Sequence, residues 1–484
     1  MKQEILRQIK ESFGPRATDA QFERFLYNRD LAPVPAVLAD LLFKTTPDLV
    51  VRPVSAQEVA QVLKLASSAG ISVTPRAGAS TVYFDSVPVK GGIVLDLNML
   101  KGVVDLDAEQ MTVTVKAATT WGELERYLGA RGFAPKSVPS SAPAASVGGW
   151  LCMMGYGIGS LKYGPLASQV KSAEVVLPSG EIRRLTAASD PPLAWLAGSE
   201  GTLGIVTQVE VEIRKRTPMK HFLLWAPELE EILWALAQLA GAEIVPYNLH
   251  FTDDPCLRAM ARQNIAPGGV TSGYLLAVDY EGDETELDQA EKLMWDLMAG
   301  RTGVSLLPEL VAEKEWQERY KALRLKRGGP SELGGEVFLP LSELPGYLVD
   351  IKRLAARYRM LFCSYGHVVS QERITIMTLF FADETKVLDY ILSLSLVKKI
   401  QDVGYRHGGH PYGVGLWNTP YLRRIFGRSE LQEKRAQKRQ LDPQGIMNPG
   451  KLYTWPALLH PLSFTVAMGL MAEVKKYVKG GARA

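Results

Sequence analysis

The chain has 484 residues, of which 46% are hydrophobic and 22% charged. This length is sufficient for at least two packed cores, and a formal net charge of +3 does not favour a polyanionic partner such as nucleic acid. Cys152, Cys256 and Cys363 are far apart and form no CxxC pair. We therefore expect a reducing compartment and neither a disulfide framework nor an iron–sulfur cluster within the chain.

The two ends of the chain bear on its localisation. Charged and apolar residues alternate from Met1 to Lys10, which predicts an amphipathic opening helix and not an export signal. No apolar run reaches the ~20 residues needed to cross a bilayer. We expect a cytoplasmic protein whose tail, 454–484, either docks on its own domain or binds a partner complex or a membrane surface.

A loop of small residues follows the first predicted helix and strand. Ser55 and Glu58 have the spacing of a capping box and predict a helix through Leu65, and 71–74 is predicted to be a short strand. The loop comprises Pro75, Arg76, Ala77, Gly78, Ala79, Ser80 and Thr81. Its small side chains let several backbone N–H groups converge on one anion, which is typical of a pyrophosphate site. A tight turn between strands has the same composition.

Two further glycine-rich blocks lie in the N-terminal half. The chain turns sharply at Pro139 and Ser140, and the residues that follow predict backbone lying flat against something large. These residues are Ser146, Gly148, Gly149, Gly157, Gly159, Ser160, Tyr163 and Gly164. The third block follows a predicted hairpin of strands 171–177 and 181–185. Its members are Glu200, Gly201, Gly204, Ile205 and Val206.

These motifs resemble those of the flavoprotein family that includes vanillyl-alcohol oxidase, the flavin subunit of glycolate oxidase and the respiratory D-lactate dehydrogenases. The Arg-Gly-Gly-Gly-Thr-Ser loop of that family appears as residues 76–81, and its Gly-Gly-Asn segment as 148–150. Its Leu-Lys-Tyr-Gly segment appears at 161–164, and its Gly-Ser-Glu-Gly-Thr-Leu-Gly block is intact at 198–204. Residues 441–451 are similar to its C-terminal signature, so the match spans about 45–453.

The resemblance implies FAD as the cofactor. It implies that the 75–81 loop and the 146–149 segment hold the pyrophosphate, and that 200–206 make backbone contacts to the flavin. The same implied site includes residues of the second block and of the C-terminal signature: Pro139, Ser140, Gly157, Gly159, Ser160, Tyr163, Gly164, Asn448 and Lys451. No histidine precedes His221, so we expect a dissociable FAD without a histidyl linkage in this domain.

The predicted fold is α+β, with a two-subdomain FAD-binding domain followed by a cap domain that has an antiparallel sheet backed by helices. The predicted domains are 1–45 (N-terminal helical segment), 46–216 (FAD-binding), 217–425 (substrate or cap), 426–453 (return to the FAD domain) and 454–484 (amphipathic tail). In the cap, strands are predicted at 223–225, 244–251, 274–280, 336–339, 361–365 and 374–381, and helices at 228–240, 284–299 and 344–357.

The hydroxy-acid branch of the resembled family binds a divalent metal, and this chain keeps only fragments of the two motifs involved. Gly366-His367 begins the first motif, but Arg373-Ile374 stand where its second histidine belongs, and Pro411-Tyr412 replace the Glu-His of the second. We therefore predict no metal. The alternative is a nonstandard Zn²⁺ or Mn²⁺ site built from His367, Glu372, His407 and His410.

Four residues are candidates for the chemistry. His367 is the predicted base, because removing a hydroxyl proton during hydride transfer to flavin N5 needs a group that titrates near neutrality. A hydrogen-bonded histidine within a strand is the alternative. Arg319 resembles the arginine of a Trp-x-x-Arg segment that binds the substrate carboxylate, or it is a solvated helix residue. Arg373 is a candidate for a second carboxylate contact or for replacing the charge of the missing metal, and Tyr412 is the fourth candidate.

Three functions remain open at this point. The first is an FAD-dependent dehydrogenase that oxidises a 2-hydroxy acid such as lactate or glycolate and passes electrons to an iron–sulfur or electron-transfer-flavoprotein partner subunit. The second is an FAD electron-relay subunit of a larger redox complex without its own hydroxy-acid site. The third is a phenolic-alcohol oxidase, for which Tyr412, Trp417 and Tyr421 suggest an aromatic pocket. Trp417-Asn418, however, replace the Tyr-Arg pair of phenol-oxidising members.

Overall fold

The computed structural model describes residues 1–453 and 460–478. Its contacts divide the chain into two compact units. The first unit consists of Met1–Gly155, Leu166–Lys215 and Gly413–Phe464, and the second of Tyr156–Pro165, Arg216–Tyr412 and Thr465–Ala484. Residues 413–425, which were predicted to belong to the cap domain, group with the first unit. The predicted tail falls partly on 454–459 and 479–484, outside the described residues.

The first unit contains helices and two β-sheets. Its helices are α1 Lys2–Phe13, α2 Gln21–Phe25, α3 Ala36–Leu42, α4 Ala56–Ala69, α5 Trp121–Gly129, α6 Val147–Cys152, α8 Leu166–Gln169 and α15 Leu422–Leu441. Its strands are β1 Ala17–Thr18, β2 Leu49–Val51, β3 Val73–Arg76, β4 Ile93–Asp96, β5 Val103–Asp107, β6 Thr112–Lys116, β7 Phe133–Pro135, β8 Val170–Val176, β9 Ile182–Leu185 and β10 Ile205–Lys215.

A small sheet in the order β1-β2-β4-β3 supports the first glycine loop. Strands β2, β4 and β3 are parallel, and α4 packs on them through Val59, Val62 and Leu63, all fully buried. Ser55 caps α4 by accepting from the Glu58 N–H at 3.3 Å. The Glu58 carboxylate, however, accepts from the Val54 N–H and the Arg16 guanidinium. The predicted capping box is therefore replaced by a cap and an ion pair.

The second sheet of this unit is antiparallel and has β10 at its centre. Its order is β5-β6-β10-β8-β9, with β7 also paired to β10. Buried and more exposed residues alternate along β10, so that Val209 and Val211 face the core while Glu210 and Glu212 do not. The predicted hairpin is confirmed, since β8 pairs with β9 from Ala173↔Leu185 onward.

The second unit is organised around one antiparallel sheet. Its helices are α7 Ser160–Tyr163, α9 Leu229–Ala240, α10 Asp254–Arg262, α11 Glu284–Ala299, α12 Glu309–Gln317, α13 Leu344–Tyr358 and α14 Val387–Arg406. Its strands are β11 Met219–Ala226, β12 Asn248–Thr252, β13 Tyr274–Glu281, β14 Ser305–Leu306, β15 Ser331–Pro340, β16 Cys363–Ser370, β17 Arg373–Ala382 and β18 His410–Pro411. In the described residues the strand order is β14-β11-β13-β12-β16-β17-β15-β18.

Helices cover this sheet, as predicted. On one face, the Tyr347 hydroxyl of α13 shares a hydrogen bond of 2.8 Å with Thr378 of β17, which also contacts Ser364 of β16. The predicted α+β fold with an antiparallel cap sheet is confirmed. The last helix, α16, spans Pro461–Lys475. Within 1–453 and 460–478, no helix is both long and apolar enough to cross a membrane.

Candidate functional site

The first glycine loop leaves β3 at Arg76 and presents its own backbone. A Cβ on Gly78 would lie 2.1 Å from the Ala144 carbonyl oxygen, so only glycine fits there. Ala79 has a left-handed backbone, with φ 49°. Among the described residues no acceptor pairs with the N–H groups of Gly78, Ala79 or Ser80. Successive unpaired N–H groups around a left-handed residue form an anion-binding nest.

Arg76 adds positive charge at the start of this loop. Its guanidinium donates to the Ser86 carbonyl oxygen at 3.2 Å and lies 5.4 Å from the centroid of the Tyr27 ring. Burial lowers its pKa, partly offset by Asp30 and Asp96. Thr81, at the other end of the loop, donates from its hydroxyl to the Asp85 carboxylate at 2.5 Å.

The second block opens helix α6. The Ser146 hydroxyl caps the helix by accepting from the Gly149 N–H at 3.2 Å. A Cβ on Gly148 would lie 2.6 Å from the Ala117 Cβ, so this glycine lets the helix N-terminus approach β6 closely. Pro139 is buried in the turn that precedes it, and Ser140 is half-buried.

Within the first unit, the third block is joined to the 414–415 segment through Glu200. Glu200 has φ 50°, and its buried carboxylate accepts from the N–H groups of Val414 at 2.9 Å and Gly415 at 2.8 Å. Burial, followed by Asp85, raises its pKa well above the ordinary value. Gly201 has φ +67°, and a Cβ there would lie 2.6 Å from Pro75. Gly204 packs on β8, and Ile205 and Val206 begin β10.

Asn448 and Lys451 bind main-chain groups of the same unit. The Asn448 amide donates to the carbonyl oxygens of Glu200 at 2.8 Å and Asp85 at 3.1 Å. The Lys451 ammonium, only 2% exposed, donates to the Asp85 carbonyl oxygen at 2.7 Å and to Asn448 Oδ1 at 2.9 Å. Burial lowers the pKa of Lys451 to about 8, although Asp85 opposes the shift. Asn448 thus ties the third block to the segment that follows the first loop, and Lys451 links Asn448 to that same segment.

The remaining predicted FAD positions lie in the second unit. Gly157 donates its N–H to the Ser160 hydroxyl at 3.0 Å, and Gly159, with φ 86°, donates to the Tyr247 carbonyl oxygen at 3.0 Å. Tyr163 donates to the Glu281 carboxylate at 2.5 Å. Gly164 ends α7 with φ 77°.

One face of the second unit's sheet carries a row of polar side chains. Directly opposed residues of an antiparallel sheet point to the same face. The register pairs His221 with Asp279, Asp279 with Asn248, and His250 with His367. His250 lies two residues after Asn248 on β12 and so shares its face. The same face continues across three more strands through Thr375, the apolar Phe338 and His410.

Hydrogen bonds connect this row. Asp279, 3% exposed, accepts from His221 Nδ1 and from Asn248 Nδ2, each at 2.7 Å. Asn248 Oδ1 lies 3.0 Å from His367 Nδ1. The ring centroids of His250 and His367 are 4.5 Å apart. Burial, reinforced by His250, holds the pKa of His367 well below its usual range, which differs from the near-neutral titration expected from the sequence.

The two candidate arginines both lie against aromatic rings. Arg319 donates to the Trp316 carbonyl oxygen at 3.0 Å, and its guanidinium lies 4.2 Å from the Trp316 ring centroid and 4.3 Å from that of Tyr320. Trp316 in turn stacks on His221, with centroids 5.1 Å apart. Arg373 begins β17, two residues before Thr375, and lies 5.6 Å from the Phe338 ring centroid.

Tyr412 and the residues of the alternative metal site have separate partners. The Tyr412 hydroxyl accepts from the Tyr156 N–H at 3.0 Å and donates to its carbonyl oxygen at 3.1 Å. His407 contacts Glu343 at 2.9 Å, and His410 Nδ1 lies 2.9 Å from the Pro411 carbonyl oxygen. Over the described ranges, no three His, Cys, Asp or Glu side chains are grouped to hold a metal ion. The described structure therefore does not bring the residues of the four-residue alternative together as a ligand set.

Two family models match the chain. A model of the FAD binding domain matches residues 47–186, and a model of the C-terminal domain of FAD linked oxidases matches residues 219–452. The chain belongs to the FAD-linked oxidase family. This confirms the recognised family and the FAD cofactor, and the protein is an FAD-dependent oxidoreductase.

The chain is similar to proteins with several different activities in their names. It is 25% identical to glycolate oxidase subunit GlcD of Bacillus subtilis over 93% of this chain and 97% of that protein. It is 27% identical to the mitochondrial D-lactate dehydrogenase [cytochrome] of Arabidopsis thaliana over 84% of this chain and 73% of the relative. Among solved structures, p-cresol methylhydroxylase has a TM-score of 0.80 at 18% identity, covering 94% of this chain and 97% of that one. The last similarity establishes the fold alone.

The first unit has features that fit the FAD cofactor. The unpaired N–H groups of the 78–80 loop and the close-packed glycines at 78 and 148 leave backbone facing outward with little side-chain bulk. A pyrophosphate needs both features. Which residues contact FAD stays a prediction for every position named from the sequence.

Sequence reasoning missed Asp279, Asn248, His250 and His221. A signal was present, because polar residues recur at alternate positions in otherwise apolar strands, as in Asn248-Leu249-His250 and Asp279-Tyr280-Glu281. Such alternation indicates one polar sheet face. The pairing of β12 with β13 and β16, which sets these side chains beside His367, is a long-range property that the alternation does not contain.

Proposed function

We propose that this FAD-dependent oxidoreductase is a dehydrogenase that oxidises a 2-hydroxy acid and passes the electrons to a partner protein. The names of two relatives support this substrate class, since glycolate and D-lactate are both 2-hydroxy acids. Bound FAD supplies the hydride acceptor. The rest of the chemistry then requires a base for the hydroxyl proton and a cation for the carboxylate.

His367 is the proposed base. The main support is its environment, namely the burial and the neighbouring side chains that set its protonation. The ring is neutral at pH 7, because burial and His250 lower its pKa. Only a neutral imidazole can accept a proton. The side chain also stays partly accessible, while its Nδ1 is engaged by Asn248. The other ring nitrogen is then the one available to a substrate hydroxyl.

Arg373 is the proposed carboxylate ligand. It lies two residues from Thr375 on β17, and Thr375 pairs with His367, so by strand alternation the arginine belongs to the face that carries the base. A guanidinium fork suits two carboxylate oxygens. Arg319, stacked on Trp316 and Tyr320 in the same unit, is the second proposed contact. We assign Tyr412 a positioning role, since its hydroxyl binds the Tyr156 main chain.

The last helix supports the proposed partner protein. Leu462, Val466, Leu470 and Val474 repeat every four residues along α16 and are 50–70% exposed. This spacing forms one apolar stripe. Lys475 is 5% exposed and pairs with Asp389, which anchors the helix in the second unit. We propose this stripe as a contact for a redox partner subunit, the membrane surface being the alternative.

An anaerobic absorbance assay tests the function. The purified yellow protein is mixed separately with D-lactate, L-lactate, glycolate, 2-hydroxyglutarate and vanillyl alcohol, and its metal content is assayed on the same sample. Bleaching of the flavin by one of the hydroxy acids is expected. If the hydroxy acids leave the flavin oxidised, the proposal fails. Reduction by vanillyl alcohol alone would then indicate the phenolic oxidase, and reduction only through a protein partner the relay subunit.

A further inference from the structure

The strongest unassigned feature is the hydrogen-bonded chain that ends at His367. It begins at His221, passes through Asp279 and Asn248, and lies entirely on one face of the second unit's sheet. Asn248 is 5% exposed and Asp279 is 3% exposed. Buried polar groups are costly unless they are paired, so a connected chain of this kind constrains the orientation of each member.

The donors and acceptors along the chain fix the direction of every bond. The Asp279 carboxylate can only accept, so the group that Asn248 turns towards it is its NH₂. Asn248 therefore turns its carbonyl oxygen, Oδ1, towards His367. A carbonyl oxygen accepts only, so the proton of that contact must lie on His367 Nδ1. In a neutral ring, the lone pair is then on Nε2.

We propose that Asp279 and Asn248 form a positioning pair that holds His367 as the Nδ1-protonated tautomer and leaves Nε2 to accept a proton. The tautomer follows from the geometry alone. The use of Nε2 on a substrate hydroxyl rests on the proposed dehydrogenase function. Asp279 also accepts from His221, which stacks on Trp316. Both carboxylate oxygens of Asp279 are therefore hydrogen-bonded, one to His221 and one to Asn248, and these two bonds set the orientation of the carboxylate.

The backbone explains why these residues meet. Asp279 and Asn248 are directly opposed on β13 and β12, and His250, two residues on, is directly opposed to His367 on β16. Asn248 and His367 are therefore diagonal neighbours, a separation that an amide and an imidazole can span. A one-residue change of register would turn either side chain to the other face.

The test is the ¹H–¹⁵N correlation spectrum of the FAD-loaded protein labelled with ¹⁵N-histidine. The signals of His367 are assigned by their loss in His367→Gln. In the wild-type protein we expect protonated Nδ1 and unprotonated Nε2. Protonation of Nε2 instead would overturn the proposal without any variant.

Variants give a second, independent reading of the pair. Asn248→Leu removes the acceptor and should give a mixture of tautomers, whereas Asn248→Asp supplies a carboxylate oxygen and should restore Nδ1 protonation. Thr375→Val is the matched control, because Thr375 is opposed to His367 on the same face, and its hydroxyl donates to the His367 main-chain carbonyl oxygen at 3.4 Å and not to the imidazole. It should keep the wild-type tautomer. An unchanged spectrum in Asn248→Leu would contradict the pair.

Kinetics separates this proposal from the proposed function. If a hydroxy acid reduces the flavin, Asn248→Leu should lower kcat by roughly 10- to 100-fold, with a smaller effect on KM and recovery in Asn248→Asp. A uniform rise in KM would instead indicate lost substrate binding and contradict a positioning role. If no hydroxy acid reduces the flavin, the proposed function fails, and the histidine spectrum still decides the tautomer.

Discussion

His250 and His367 are directly opposed on β12 and β16, and the pKa of each is lowered. Burial, followed by the nearby positive charge of Arg324, lowers the pKa of His250 to about 4. Burial and then His250 lower that of His367. Two imidazolium rings with centroids 4.5 Å apart would repel each other. Both rings are consequently neutral at pH 7, which suits a base and makes the native state sensitive to acid.

This sensitivity gives a prediction for His250→Gln. Between about pH 4 and the unfolded pKa of about 6.5, the unfolded chain binds a proton that native His250 does not. The contribution of His250 to stability is thus complete above the unfolded pKa and is lost as the pH falls towards 4. The variant should lose less stability than the wild type between pH 7.5 and 5, by about 1–3 kcal/mol.

Melting temperatures measured at both pH values check this prediction. His460→Gln serves as the control, since His460 is exposed, and it should keep the wild-type difference in Tm. An equal difference in His250→Gln and wild type would show that His250 is not held neutral by the fold.

Gly78 gives the corresponding prediction for the cofactor loop. In Gly78→Ala the new Cβ would lie 2.1 Å from the Ala144 carbonyl oxygen, so the loop or its neighbour must move. We expect a loss of about 1–3 kcal/mol in stability and a large fall in bound FAD, measured as the 450 nm to 280 nm absorbance ratio.

Gly300→Ala is the matched control for the loop variant. Gly300 has φ −78°, and a Cβ there would lie 3.6 Å from the Leu297 carbonyl oxygen, an ordinary contact, so the FAD content of this variant should equal that of wild type. Full FAD occupancy in Gly78→Ala would contradict the role given to this loop.

At the scale of elements, helix α15 is interrupted at Gly427, where the backbone has a conformation that strongly favours glycine. Gly427 has φ 70° and ψ −173° inside Leu422–Leu441, a conformation that side-chain-bearing residues rarely adopt. Although a Cβ there would meet no atom within 4 Å, Gly427→Ala should cost about 1–3 kcal/mol from backbone strain alone. The free energy of unfolding measures this cost.

Gly469 in α16 provides the opposite case. It also has open space around a Cβ, but no positive φ, so Gly469→Ala should be neutral or stabilising by up to about 1 kcal/mol. Equal effects of the two substitutions would show that local backbone conformation does not explain the kink in α15.

Element boundaries were predictable where local chemistry fixes them. Helix α11 spans Glu284–Ala299, the range predicted, because Asp283 and Glu286 form a capping box and Gly300 follows. Strand β16, predicted at 361–365, instead runs Cys363–Ser370. Its extent depends on pairing with β17 from Cys363 to Ser370, and this pairing lies outside any local window of sequence.

At the scale of the whole molecule, the glycine motifs identified the family and the cofactor, and the alternation of elements predicted the antiparallel sheet. The candidate site was only partly predictable. His367 and Arg373 lie within or beside recognisable motif fragments. Asn248 and Asp279 come from strands distant in sequence and meet His367 only through sheet register. Residues 454–459 and 479–484 of the predicted tail remain outside the described chain.

The central claim is that His367 takes the hydroxyl proton while a 2-hydroxy acid reduces the flavin. Anaerobic stopped-flow absorbance at 450 nm on wild type and His367→Gln tests it most directly. We predict a flavin-reduction rate 10²- to 10⁴-fold lower in the variant, with FAD content unchanged. A variant that reduces its flavin at the wild-type rate would contradict the account.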